Sequence, residues 1–154
     1  MTNDSGVFLH RIRAIRDIPS IGISKGDLGG WVSLAPLSSG RPRISEAAWV
    51  YSNAQLYGNA SLSGHAIIYG NAKVFGDAQV GGWSHVYQDA QVYENARVSG
   101  GVRVAGTAQV YGNAQLKDEA RVYGNAKVSG NAVFNQDGTA SGNDDISGDA
   151  FIHF

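Results

Sequence analysis

The chain has 154 residues and a formal net charge of −1, which is one domain's length with no bulk charge to favour a nucleic-acid partner. Cysteine is absent, so a disulfide framework and a thiolate metal site are excluded. Glycine, at 21 residues, is well above ordinary usage and has to be placed by any account of the fold.

The first 43 residues have their own character. "MTNDSGVFLHRIRAIRD" lacks the apolar stretch of a secretory signal, and no run in the chain approaches membrane-spanning length. A soluble, cytoplasmic protein without a membrane partner is the expectation. "VFLHRIRAI" alternates as a strand does, and "SKGDLGG" is a turn signal. Residues 7–34 are therefore expected to cover one end of the fold built by the rest of the chain, with Trp31 lying across it, and "PLSSGRPR" (36–43) reads as a linker. Six of the twelve cations fall here (Arg11, Arg13, Arg16, Lys25, Arg41 and Arg43) against Asp4, Asp17 and Asp27. Arg11 and Arg13 share one side of the expected strand.

From Ile44 a hexapeptide repeat takes over. Ile44, Val50, Leu56, Leu62, Ile68, Val74 and every sixth residue on to Ile152 are apolar, and a small residue, mostly alanine, follows four places later. Gly-Asn or Gly-Asp pairs fall between them, as at Gly58-Asn59 and Gly76-Asp77. Six matches neither a helical period nor simple strand alternation. It matches a short strand with its branched residue inward, then a corner made by residues that tolerate unusual backbone angles. Three such hexapeptide edges close one turn, and turns stack at about 4.8 Å as strands do. Phe134 and the small Ala140 share one turn, which reads as volume compensation. Asp144 stands at a normally small inward site and predicts a local irregularity, while Phe151 and Phe154 are expected to cover the far end.

This pattern resembles the hexapeptide-repeat proteins, which fold as left-handed parallel β-helices; the resemblance covers residues 44–152 and supplies the handedness. "LHRIRAIRD", "KGDLGGWV" and "AWVYSNAQLYGNA" are also similar to short bacterial, phage or prophage proteins labelled hexapeptide-repeat transferases. The expected fold is all-β: a single-domain left-handed parallel β-helix of about six triangular coils of three hexapeptides over 44–152, behind an N-terminal β-rich cap and linker over 1–43. The resemblance implies a homotrimer. It also implies acyl transfer from coenzyme A with a histidine base, although here no inserted loop interrupts the coils.

Read at intervals of one full coil, the outward positions sort into three faces. One carries Trp49/Tyr51, Ile67/Tyr69, His85/Tyr87, Arg103/Ala105 and Arg121/Tyr123; a second carries Gln55/Tyr57, Lys73/Phe75, Gln91/Tyr93 and Gln109/Tyr111; the third is small and polar. The tyrosine columns can stack on themselves and stiffen the fold. Trp49, Tyr51, Ile67, Tyr69, His85 and Tyr87 would also form an apolar patch suited to the trimer interface. Of the four histidines, His85 alone falls near that boundary and is the candidate catalytic base; His65 replaces a corner Asn and reads as a turn cap. No three histidines converge, so no metal site is expected.

Arg11 and Arg13 in the cap, and Arg103 and Arg121 beside Tyr87 and Tyr123, combine guanidinium forks with aromatic faces. That mixture suits a small anionic, nucleotide-like ligand at the subunit clefts or the basic cap. The residues leave three readings open. One is a non-catalytic trimer that binds or sequesters such a ligand, in a phage setting a host signalling nucleotide in the host bacterial cytoplasm. Another is a coenzyme A-dependent acyltransferase using His85. The third is a structural assembly module.

Overall fold

Each hexapeptide closes into a two-residue strand and a tight corner. The computed structural model describes residues 1–153 and contains, after β1 (His10–Arg13) and β2 (Leu28–Val32), eighteen two-residue strands from β3 (Trp49–Val50) to β20 (Phe151–Ile152). Strands one full coil apart pair in parallel, as Val92 does with Val74 and Val110. They assemble into three sheets of eight, six and six strands. The protein is an all-β parallel β-solenoid of about six turns, and one 3-10 turn (Pro19–Ile21) is the sole helical element among the described residues. No helix among them is long and apolar enough to cross a membrane.

The second residue of each two-residue strand points inward. Val50, Leu56, Ile68, Val74, Val86, Val92, Val104 and their successors through Phe134 and Ala140 are buried, with alanines such as Ala54, Ala60 and Ala66 between them. Phe134 and Ala140 are both fully buried, so the large and small residues share one close-packed layer.

The corners need a left-handed backbone. Gly58 has φ 68°, and a Cβ there would stand 2.9 Å from the Gly76 nitrogen one turn on. At several corners where the residue is not glycine, its side chain bonds the next turn. Glu94 (φ 57°) accepts from Gly112 N at 2.8 Å, and Asp118 (φ 57°) accepts from Gln136 N at 3.0 Å. The left-handed conformation costs an L-residue about 1–2 kcal/mol, and these bonds offset part of that. Asn ladders run beside them: Asn95 donates to Asn113, Asn113 to Asn131, and Asn131 to Asp149.

The N-terminal segment is woven into the solenoid. β1 and β2 form an antiparallel hairpin, and β2 pairs in parallel with Gln55–Leu56, so Val32 takes an inward site before Ile44 is reached. Gly29 and Gly30, not Trp31, lie against the first turn: a Cβ on Gly30 would stand 2.5 Å from Val50 Cγ1. Trp31 instead faces outward beneath Arg11, whose guanidinium carbon is 5.3 Å from the ring centroid. The 36–43 stretch is tied down rather than free, with Leu37 buried and Arg43 donating to Ala35 O and Ala60 O.

At the other end the register holds. Lys127 N donates to Asp144 O at 2.8 Å, while the exposed Asp144 carboxylate accepts from Ser141 N at 2.9 Å. The backbone stays regular at Asp144, and the departure expected there is confined to its side chain, exposed where Ala126 one turn before is buried. Phe151 is 58 % exposed and so is not buried against the last turn. Phe154, the other residue expected there, lies outside the described residues.

Candidate functional site

The face built on the strands from Trp49 to Ala140 carries most of the candidate residues. Its first outward column runs Trp49, Ile67, His85, Arg103, Arg121 and Thr139, each in register with the next. The second column, two residues on, runs Tyr51, Tyr69, Tyr87, Ala105 and Tyr123. Backbone bonds hold this column in step, as Tyr87 N to Val104 O at 2.9 Å and Ala105 N to Val122 O at 2.9 Å.

The lower part of the face is covered by the chain itself. Trp49 is 6 % exposed and packs with Ala14 and Ile23, flanked by Ile12, Ile18, Ile21, Tyr51 and Ile67. The Tyr51 hydroxyl donates to Ile21 O at 3.0 Å, and Arg16 donates to Glu46 O at 3.0 Å. This corrects the expectation that Trp49 stands in water. The isoleucines of 12–23 and the Trp49 ring bury each other intramolecularly, which removes the apolar patch on which an interface at Trp49, Tyr51 and Ile67 was argued. Tyr69, His85 and Tyr87 are the members of that set beyond this cover.

Above it, Tyr69 and Tyr87 stack with centroids 4.9 Å apart and planes within 2°. His85 meets Tyr69 edge-on at 6.2 Å. Burial, and then the neighbouring Arg103 charge, hold the His85 imidazole below its usual pKa. Burial and the Tyr87 hydroxyl push the Tyr69 phenol up, against a smaller opposing pull from Arg103.

Arg103 and Arg121 are exposed ladder partners on adjacent turns. No carboxylate answers them: among the described residues the single ion pair is Lys73 with Asp4, at 3.3 Å. Arg11 and Arg13 are elsewhere, on the outermost strand of the eight-stranded sheet, so the structure does not bring the two arginine pairs together. Arg11 is engaged over Trp31, and Arg13 donates to Gly26 O at 2.9 Å.

The remaining histidines serve local packing. His65 does not cap a turn; it lies flat on Trp83 with centroids 3.9 Å apart, because Trp83 occupies the same corner one turn later. His10 meets Phe8 edge-on, and His153 meets Phe151 in the same way. No group of three or more His, Asp or Glu that could hold a metal occurs among the described residues.

The third face holds a groove that the residue pattern did not lead us to expect. It has a volume of about 900 Å³ and a mixed lining that includes Arg41, Asp77, Arg97 and Lys117 beside Leu37 and Val98. Its signal in the sequence is the column Ser63, Gly81, Ser99, one residue per coil, where long side chains are missing.

Residues 90–106 and 120–135 match the YdcK beta solenoid repeat family, and these two blocks contain Arg103, Ala105, Arg121 and Tyr123. No curated protein matches the chain.

Proposed function

We propose that the protein is a non-catalytic binding module that takes a small anionic ligand on the face formed by His85, Tyr87, Arg103, Arg121 and Tyr123. The observation that carries this reading is the in-register pair Arg103 and Arg121, stacked on adjacent turns with no acidic partner. Like charges directly opposite on neighbouring strands destabilise a sheet. A bound anion with two or more oxygens relieves that repulsion, and guanidinium forks suit phosphate or carboxylate. In this reading the solenoid is left-handed with triangular coils, as in the hexapeptide-repeat proteins it resembles. The hairpin and residues 14–43 act as its N-terminal cap. Three copies pack as a homotrimer, with the open Tyr69–Tyr87 part of the face near the boundary. If the source is a phage, the ligand would be taken up in the host cytoplasm.

Isothermal titration with inorganic pyrophosphate tests the reading. Saturable binding that is lost in Arg103→Ala and Arg121→Ala supports it, and native mass spectrometry of the purified protein reports the trimer. Absence of binding in the wild type rejects it.

A second reading is acyl transfer from coenzyme A with His85 as base. The lowered imidazole pKa favours it, because a general base must be neutral at working pH. Turnover of an acyl-coenzyme A that disappears in a folded His85→Ala variant would establish it.

A further inference from the structure

The ring column beside the two arginines is broken at one rung. On the neighbouring face the equivalent column is continuous: Tyr57, Phe75, Tyr93 and Tyr111 stack at 4.9–5.0 Å with planes within 3°. Here Tyr69 and Tyr87 begin the same stack, but the next rung is Ala105 and the ring resumes only at Tyr123. The rungs themselves do not slip, since Tyr87, Ala105 and Tyr123 donate their amides to Val104, Val122 and Ala140 at 2.9, 2.9 and 3.0 Å. Tyr87 and Tyr123 are thus two rungs apart, about 9.6 Å along the axis. That is too far for their rings to stack on each other and the right spacing for one ring between them.

The surroundings of the gap are fixed. The Ala105 methyl between Tyr87 and Tyr123 is 6 % exposed, and Tyr123, with Ala105 on the rung before it and Ser141 on the rung after, is 46 % exposed. At the adjoining corner Gln88 Oε1 accepts from Gly106 N at 2.6 Å, which ties the turn of Tyr87 to that of Ala105. Arg103 lies on the same rung as Ala105, and Arg121 on the same rung as Tyr123.

We infer that the rung at Ala105 is a slot for a planar heteroaromatic ring, which enters between Tyr87 and Tyr123 while its attached phosphate is held by Arg103 and Arg121. The ligand class is a nucleoside phosphate, with the base in the slot. A ring there gains the offset stacking on both faces that Tyr93 gains from Phe75 and Tyr111. The inference rests on the anion-binding reading and adds to it what the anion must be attached to.

The test uses the whole chain and two probes, a nucleoside diphosphate and inorganic pyrophosphate, in the wild type, Ala105→Tyr and Arg103→Ala. Stacking on aromatic side chains predicts that the wild type binds the nucleotide roughly tenfold or more tighter than pyrophosphate. Arg103→Ala should weaken both probes. Ala105→Tyr completes the ring column, so it should lose the nucleotide's advantage while keeping its pyrophosphate affinity and its melting temperature. If it fails to fold, Ala105→Leu blocks the slot with less bulk. Equal affinity of the wild type for the two probes, or undiminished nucleotide binding in the blocked variant, overturns the slot and leaves arginine-dependent anion binding standing. If neither probe binds the wild type, the anion-binding reading fails and the slot falls with it.

Discussion

Arg103 and Arg121 face each other across one rung of a parallel ladder, with His85 on the rung before them and Thr139 on the rung after. A stack of cations without a counter-charge is a local conflict in the ladder. Replacing one member by an acid should therefore stabilise the free protein. For Arg121→Glu the expected gain is roughly 0.2–1 kcal/mol, the range for opposite-charge cross-strand pairs. It is read as a rise in denaturation midpoint at low salt that shrinks at high salt. The same variant should lose pyrophosphate binding. A lowered midpoint would mean that Arg121 already has a stabilising role in the free chain.

The corner glycines are required twice over, by backbone angle and by contact. Gly106 has φ 70°, and a Cβ there would stand 2.5 Å from Gly124 O. Gly106→Ala should cost about 2 kcal/mol or more, since the left-handed conformation alone costs about 1–2 kcal/mol. Chemical denaturation measures it. Gly142 has φ 57° but nothing within 4 Å of its would-be Cβ, so Gly142→Ala should cost distinctly less.

Phe134 fills a fully buried site in the same turn as Ala140. Phe134→Ala is expected to destabilise by about 3–5 kcal/mol. If the two sites share one volume, Phe134→Leu combined with Ala140→Val should recover part of the loss caused by Phe134→Leu alone. Strict additivity in this double-mutant cycle would show that the two sites do not compensate each other.

His85 gives a pH signature. Burial and Arg103 lower its folded pKa below the unfolded value of about 6.5, so protonation favours the unfolded chain. Its contribution is fully present above the unfolded pKa and is lost as pH falls through the folded pKa. Stability should therefore fall as the pH drops below about 6.5, and His85→Gln should flatten part of that slope. An NMR titration placing the His85 pKa above that of an exposed histidine would contradict this.

What could be read from the sequence was whatever the repeat controls. The inward column from Val50 to Ala140, the corners and the three outward faces come from the hexapeptide spacing, because a ladder leaves each residue one possible neighbour on either side. The placement of Trp49 could not be read this way. Its cover is the segment from Ile12 to Ile23, which lies outside the hexapeptide period and whose return path is set by a 3-10 turn and a hairpin. The His65–Trp83 stack was within reach, since the two stand at equivalent places in successive coils, but it is missed when a corner is read alone instead of against the next. The gap at Ala105 is visible as a letter in a column; its significance depends on the neighbouring rings being stacked at a fixed pitch.

The ladder that runs from Gln55 to Ile146, one rung per coil, also defines how the molecule responds to change in length. Each turn touches little beyond the turns on either side, so the chain behaves as a one-dimensional lattice in which a complete turn is the unit of exchange. Excision or duplication of a whole turn brings matching edges together and preserves every inward and outward assignment. A shift of a single residue sends the apolar column to the solvent on every later turn. Length in such a chain is thus quantised: it can change by whole turns without disturbing the core, and within a turn it is nearly fixed.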